Sequence, residues 1–446
     1  MKKIIFLALA AVLATPFIRA QETYTPAPEN IEARKEFAKH RFGIFIHWGI
    51  YSMMADGEWI MNNRDLKYDE YSRLAAGFYP SKFNAEEWVK VFKAAGAKYI
   101  TITSRHHDGF SMFGTKASPY NIVDATPFKR DVIKELSEAC AKEGIKLHFY
   151  YSHLDWGRND YYPLGNTGHS AGRPEGDDTS WNHYIDFMCT QLSELLTNYG
   201  PIEGLWFDGV WDKRGKDFEE QGKIWQIEKQ YKLIHSLQPA CIIGNNHHHG
   251  NFAGEDMQIF EKDLPGKNTT GFVEDSVVSD TLPLETCETI NNSWGYSMDD
   301  DSYKSKEDLI RYLVKAAGNG ANFLLNIGPR PDGTLPEESV ERLLAIGQWL
   351  EKYGESVYET QRGCTGEMPW GITTQKDNVL YIHNFSNCGA VLVPVKGNKA
   401  VSAVCLQGGE KVTFKQVDEG IVVSFPACTG DCPDRIVKVT FKKDLN

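Results

Sequence analysis

The sequence predicts an α/β fold: a (β/α)8-like barrel of the TIM type, irregular through long insertions, followed by a C-terminal antiparallel β-sandwich. Three observations carry this. Between residues 42 and 329, short β-branched and aromatic runs alternate with amphipathic helical stretches, the pattern of βα units around a parallel sheet. Eight such runs can be counted, the number that closes a barrel. From about Gly354 the periodicity changes to short alternating runs separated by Gly, Asn and Asp turns, which suits antiparallel strands.

The chain starts MKKIIFLALAAVLATPFIRA, with two lysines, an apolar run from Ile4 to Ala14, a helix-breaking Pro16 and an alanine before Gln21. Residues 1–20 therefore read as a signal peptide. The run is too short to cross a bilayer, which takes about 20 apolar residues. Export to the periplasm or the exterior is expected, without membrane insertion, and no lipobox cysteine argues for a lipid anchor.

The catalytic barrel is expected over residues 21–354. Its strands are read at 42–48, 99–104, 146–152, 204–209, 241–246, 257–262, 282–287 and 322–329, the seventh being short and polar. Helix signals fit between them. Asn84 and Glu87 form a capping-box-like start, with Phe83 and Trp88 placed as its hydrophobic staple. Ser305 and Asp308 start another helix that buries Leu309, Leu313 and Ala316, and a further helix spans 336–353. Over 355–446 the runs VLYIHN, AVLVPV, AVSAVCL, KVTFK, GIVVSF and RIVKVTF read as sandwich strands. No repeat of fixed period and no low-complexity linker separates the two parts.

The full chain carries 48 Lys and Arg against 60 Asp and Glu, a net charge of −12. Loss of Lys2, Lys3 and Arg19 with the leader would make that about −15. A net-negative chain without a basic run repels phosphate backbones, so nucleic acid is excluded as a partner and a neutral sugar suits the balance better. The nine cysteines are scattered, with one close pair, Cys428 and Cys432. A core this large needs no disulfides, so buried free thiols are expected, with a Cys428–Cys432 bridge as the one local pairing open to the chain.

Loops after the strands of a parallel barrel build its active site, so polar residues at the ends of the apolar runs matter most. Strand one ends in Ile46-His47-Trp48, strand two in Ser104-Arg105-His106-His107-Asp108, strand three in Tyr150-Tyr151-Ser152-His153 and strand four in Trp206-Phe207-Asp208. Strand five ends in Asn245-Asn246-His247-His248-His249, strand six in Phe260-Glu261 and strand seven in Glu285-Thr286. Any one of these suits a structural role as well as a functional one. Together they offer what sugar recognition needs: neutral hydrogen-bonding groups, aromatic faces and carboxylates.

Glycoside hydrolysis requires one ionised carboxylate beside the anomeric carbon and one protonated carboxyl to release the leaving group. Asp208 suits the first role, because it closes the rigid run Gly204-Leu205-Trp206-Phe207, although a turn aspartate would sit there equally well. For the acid, Glu261 and Glu285 both remain open, and either could instead hold a sugar hydroxyl or orient Asp208. The pairs among His106, His107 and His247–His249 invite a metal reading. Adjacent strand residues point to opposite faces, the only HxH spacing lies inside the triplet, and no HExxH occurs, so neither a metal nor a cofactor is expected.

These same residues resemble the α-L-fucosidases of glycoside hydrolase family 29. The likeness covers most of 29–354 and rests on FGIFIHWGIYS at 42–52, EW at 58–59, TITSRHHDGF at 101–110, YYS at 150–152, WFD at 206–208, SWGY at 293–296 and NFLLNIGP at 322–329. The set is specific where any single motif is weak. The resemblance implies a barrel followed by a β-sandwich, a retaining exo-acting reaction and Asp208 as nucleophile. It implies that His47, Glu58, Trp59, His106 and His107 hold the fucose hydroxyls, with Tyr151 nearby, and that Phe45, Trp206 and Trp294 wall the C5 methyl.

For the acid/base the resemblance favours Glu261 by position, with Glu285 as the alternative. Relatives carry an arginine after the Asn pair where this chain has His247, which puts the contact made there in doubt. The expected partner is a fucosylated oligosaccharide or glycoconjugate, and an oligomer is compatible with the sequence. Two other readings stay open: a fucose-binding protein without turnover, and an exo-glycosidase for a related sugar such as α-galactose.

Overall fold

The computed structural model describes residues 24–272, 277–427 and 432–445. The leader read at 1–20 lies outside the described residues, as does Cys428. Cys432 is disulfide-bonded. The remaining seven cysteines, among them buried Cys140, Cys241 and Cys287, are free thiols.

All eight strand runs form one parallel sheet. They are β1 (Phe42–Ile46), β2 (Tyr99–Arg105), β3 (Lys146–Ser152), β4 (Gly204–Asp208), β5 (Ile242–Asn246), β6 (Gln258–Glu261), β7 (Leu284–Thr289) and β8 (Ala321–Ile327). The order β5-β4-β3-β2-β1-β8-β7-β6 runs round a nearly closed barrel. Between β5 and β6 the ladder gives way to a polar seal. There the Asp256 and Met257 amides donate to the Ile243 carbonyl at 2.7 and 3.2 Å, and the Asp256 carboxylate takes the Ile243 amide at 2.8 Å.

Most strands are apolar over their central residues because both faces are covered. Ile44, Ile46, Ile100, Ile102, Phe149 and Phe207 pack outward against the helices. Phe45, Tyr99, Tyr150, Trp206, Met257, Ile259 and Leu324 fill the barrel, and Phe37 of the helix Pro28–His40 joins them. Gly43 is required by close packing, since a Cβ there would fall 2.4 Å from the Tyr99 ring.

The helix starts follow local chemistry. Asn84 accepts the Glu87 amide at 3.2 Å to cap Ala85–Ala94, and the Phe83 and Trp88 rings meet at 4.9 Å as the staple. Ser305 accepts the Asp308 amide at 3.0 Å to cap Lys306–Gly318.

After the helix Glu337–Tyr353 come two antiparallel sheets. The five-stranded one holds β9 (Gln361–Arg362), β10 (Gly371–Lys376), β11 (Val379–Asn384), β13 (Ala400–Cys405) and β16 (Arg435–Phe441). The three-stranded one holds β12 (Ala390–Val393), β14 (Phe414–Val417) and β15 (Gly420–Ser424). Leu380, Ile382, Val391, Val393, Ile421, Val423, Val437 and Val439 form the core between them. Ile372 and Ile436 pack instead with the barrel's helical layer, and Arg311 donates to the Pro433 carbonyl at 2.7 Å across the junction. Among the described residues no helix is long and apolar enough to cross a membrane.

Candidate active site

The C-terminal ends of the barrel strands open onto a cavity of about 480 Å³, a volume suited to a small ligand. Its base is aromatic. Phe45 packs on Trp206 at 5.0 Å between ring centroids and meets Trp294 edge-on at 6.0 Å. Tyr150 stacks between Trp206 (5.5 Å) and His106 (5.4 Å), and Trp59 stacks on Trp211 at 5.8 Å along the wall.

The polar wall is made of neutral histidines whose hydrogen atoms are placed by their neighbours. The Asn326 amide nitrogen donates to the Trp294 carbonyl, so its oxygen accepts from His47 Nδ1 at 2.6 Å. The Ser152 hydroxyl donates to the Leu154 carbonyl, so it accepts from His107 Nδ1 at 2.7 Å. Each ring thus keeps the lone pair of Nε2 free to accept from a hydroxyl. Burial holds His47 down at about 3, and holds His106 and His107 well below the usual histidine value. Glu58 is buried beside them, accepts the Gly295 amide at 2.7 Å, and is pushed up by burial.

Asp208 is the last residue of β4. Gly209 then turns the chain at φ 98°, a left-handed conformation that glycine adopts without strain, and Trp211 comes back over the carboxylate. Asp208 Oδ1 accepts from Trp211 Nε1 at 3.0 Å, Oδ2 accepts from the Tyr150 hydroxyl at 2.9 Å, and His107 Nε2 lies 3.6 Å from Oδ2. The Asn246 amide nitrogen reaches both carboxyls, 2.8 Å from Glu261 Oε2 and 3.5 Å from Asp208 Oδ1. Those two oxygens therefore stand no more than about 6.3 Å apart, the sum of the two distances.

Burial, then the charge of Glu261, push Asp208 up to about 6, against the Trp211 and Tyr150 bonds. Burial also pushes Glu261 up. Two buried carboxyls this close hold one proton between them past the ordinary carboxylate range. The hydrogen bonds, three donors to Asp208 and one to Glu261, favour the ionised form of Asp208, whereas burial and the charge of Glu261 favour its acid form.

Three residues expected at the site are elsewhere. Glu285 lies below the aromatic floor, fully buried, accepting from Trp206 Nε1 at 2.8 Å and the Tyr99 hydroxyl at 2.5 Å; burial pushes it up to about 7. It is set two residues deeper along the strands than Glu261, since it pairs with Ile259 and Glu261 pairs with Cys287. Tyr151 points into the helical layer and donates to Gln191 at 2.8 Å; its neighbour Tyr150 faces the cavity, because alternate strand residues take opposite faces. His247, just past the end of β5, turns away from the cavity toward Glu255. Its Nδ1 accepts the His249 amide, so Nε2 donates to Glu255 at 2.9 Å.

His106 and His107 both line the cavity, against the alternation argument, because β2 ends at Arg105 and the chain there has left the strand. Among the described residues no three His, Cys, Asp or Glu side chains are grouped as metal ligands.

The geometry agrees with what the chain is similar to. The family model described as Alpha-L-fucosidase matches residues 11–355. The chain belongs to that family. It is accordingly a glycoside hydrolase of the α-L-fucosidase type.

Plasma alpha-L-fucosidase of Pongo abelii is 30% identical over 398 residues, covering 80% of this chain and 78% of that protein. The Rattus norvegicus plasma enzyme is 31% identical over 376 residues, covering 76% and 74%. Alpha-L-fucosidase isoenzyme 1 from Paenibacillus thiaminolyticus superposes with a TM-score of 0.80 at 31% identity, covering 93% of this chain and 100% of that one. A GH29 alpha-L-fucosidase from Bacteroides thetaiotaomicron, trapped as a covalent intermediate with 2-fluoro-fucosyl fluoride, does so at 0.80 and 27%, covering 94% and 98%.

Of the residues expected at this fucosidase-family site, Phe45, His47, Glu58, Trp59, His106, His107, Trp206, Asp208, Glu261 and Trp294 line the cavity. Sequence reasoning missed Tyr150, Trp211, Arg214, Asn246, His248 and Phe272 there. Tyr150, Asn246 and His248 stand in the polar strand ends read from the sequence without a site role there, and the register of β3 on β4 puts Tyr150 on the inward face with Trp206.

Proposed function

We propose that the protein is a retaining exo-α-L-fucosidase that removes terminal α-L-fucose from glycans by double displacement. Asp208 is the nucleophile and Glu261 the acid/base. The observation that carries this is the Asn246 amide reaching both carboxyls. A span of at most about 6.3 Å between those oxygens supports retention, since retaining pairs sit about 5–5.5 Å apart and inverting pairs about 6.5–9.5 Å apart.

In the first step Asp208 attacks the anomeric carbon, Glu261 passes its proton to the glycosidic oxygen, and the C–O bond breaks to release the alcohol. In the second, Glu261 takes a proton from water, the water oxygen bonds to the anomeric carbon, and Asp208 departs as carboxylate. Tyr150 and Trp211 stabilise that carboxylate at both ends of the cycle. His47 and His107 accept sugar hydroxyls at Nε2. Phe45, Trp206 and Trp294 favour an apolar methyl at C5, where α-galactose would need a polar partner.

Export of the chain through residues 1–20 belongs to the same reading, and an amino terminus at Gln21 in the exported protein would support it. The decisive experiment is NMR of the first-formed sugar from an aryl α-L-fucoside. α-L-Fucose appearing first, and no turnover by Asp208→Ala, supports the proposal; β-L-fucose appearing first removes Asp208 from the nucleophile's role.

A further inference from the structure

One side of the cavity mouth serves neither the sugar pocket nor the carboxyl pair. After β5 the chain bends at His248 with φ 66°, in the left-handed region that histidine enters more readily than most residues other than glycine. The bend carries the ring back over the cavity, beside Glu261. His248 Nε2 stands 3.7 Å from Glu261 Oε2, beyond hydrogen-bond reach, and Nδ1 has no partner. Burial holds the imidazole neutral, at about 4, so one nitrogen donates and the other accepts. The Phe272 ring lies 5.6 Å away and is 46% exposed, an uncovered aromatic face at the mouth.

The acid fixes which side of the cavity this is. Glu261 must touch the glycosidic oxygen, so the departing group lies outward of Glu261, where His248 and Phe272 line the cavity. An aromatic face beside an unsatisfied donor–acceptor ring is the chemistry that holds a pyranose: C–H groups stack on the aromatic ring and a hydroxyl bonds to the imidazole. We propose that His248 and Phe272 form the leaving-group site, binding the pyranose to which fucose is joined and setting which linkages are cut. This rests on Glu261 being the acid of a retaining fucosidase.

The test compares two substrates on wild type, His248→Asn and Phe272→Ala. Asparagine tolerates the left-handed backbone, so the substitution removes the ring without new strain. One substrate is α-L-fucosyl fluoride, whose leaving group is a single atom. The other is whichever α-1,2-, α-1,3-, α-1,4- or α-1,6-linked fucosyl disaccharide the wild type cleaves fastest. The proposal expects fluoride kcat/KM within about two-fold of wild type and disaccharide kcat/KM lower by at least about ten-fold in both variants. Equal losses on both substrates would place His248 with the fucose pocket or the acid, and no loss on either would leave the mouth without a leaving-group role. Either result overturns the proposal. A wild type that cleaves neither substrate instead overturns the fucosidase reading beneath it.

Discussion

Tyr150→Phe isolates one of the forces that keep Asp208 charged. The ring stays to stack on Trp206 and His106, and only the hydroxyl that donates to Asp208 Oδ2 at 2.9 Å is lost. A hydrogen bond to a charged group contributes about 1.5–3 kcal/mol, and 1.36 kcal/mol is one pKa unit, so the variant's carboxyl should rise by about 1–2 units. The sign follows from which form the bond helps. The hydroxyl stabilises the ionised carboxylate alone, so without it Asp208 keeps its proton to higher pH. Starting from about 6, the acid limb of the pH profile should move to about 7–8. The assay is kcat/KM against pH with α-L-fucosyl fluoride, which needs little help from the acid and so reports the nucleophile. An acid limb unmoved, or moved to lower pH, would refute the electrostatic account of Asp208.

Asp208→Asn should abolish turnover yet stabilise the fold at neutral pH. The folded Asp208 is raised from 3.8 to about 6, so its favourable contribution is full below 3.8 and lost as pH rises through about 6. At pH 7.5 the ionised group then costs about 3 kcal/mol, which neutral Asn avoids. Thermal melts should show a gain of a few degrees at pH 7.5 that disappears near pH 4. The two candidate acids separate cleanly. Glu261→Gln should lose at least about 100-fold on poor leaving groups and recover with azide on an activated fucoside, whereas Glu285→Gln should keep kcat within a few-fold, because Glu285 supports Trp206 from below the floor.

The barrel was readable because strands covered on both faces are apolar over their middle residues, as in FGIFI of β1, LWF of β4 and FLL of β8. The seventh strand, LETCET, was found despite its polar residues, since Glu285 and Thr286 bond inside the barrel and behind it. β10, GITTQK, was not read as a strand. Its Thr373 and Thr374 look like loop residues, yet both are buried and bonded at the junction with the barrel.

At the site, the rule that polar residues at strand ends matter most picked out Asp208, His47 and Glu261, and all three line the cavity. It could not set which residue faces the cavity: Tyr150 rather than Tyr151 does so within β3, and His248 rather than His247 does so just past β5. Nor could it set depth: Glu285 and Glu261 differ by one layer of the barrel, which depends on the register of β6 on β7. Trp211 and Phe272 reach the cavity from loops, whose paths no periodicity encodes.

The central claim, that Asp208 takes the fucosyl group, is tested most directly by trapping the intermediate. Glu261→Gln treated with 2-fluoro-fucosyl fluoride, digested and read by mass spectrometry should carry one fluorofucosyl group on the peptide holding Asp208. A label on any other carboxylate, or rapid release of the fluoride with no labelled peptide, would contradict it.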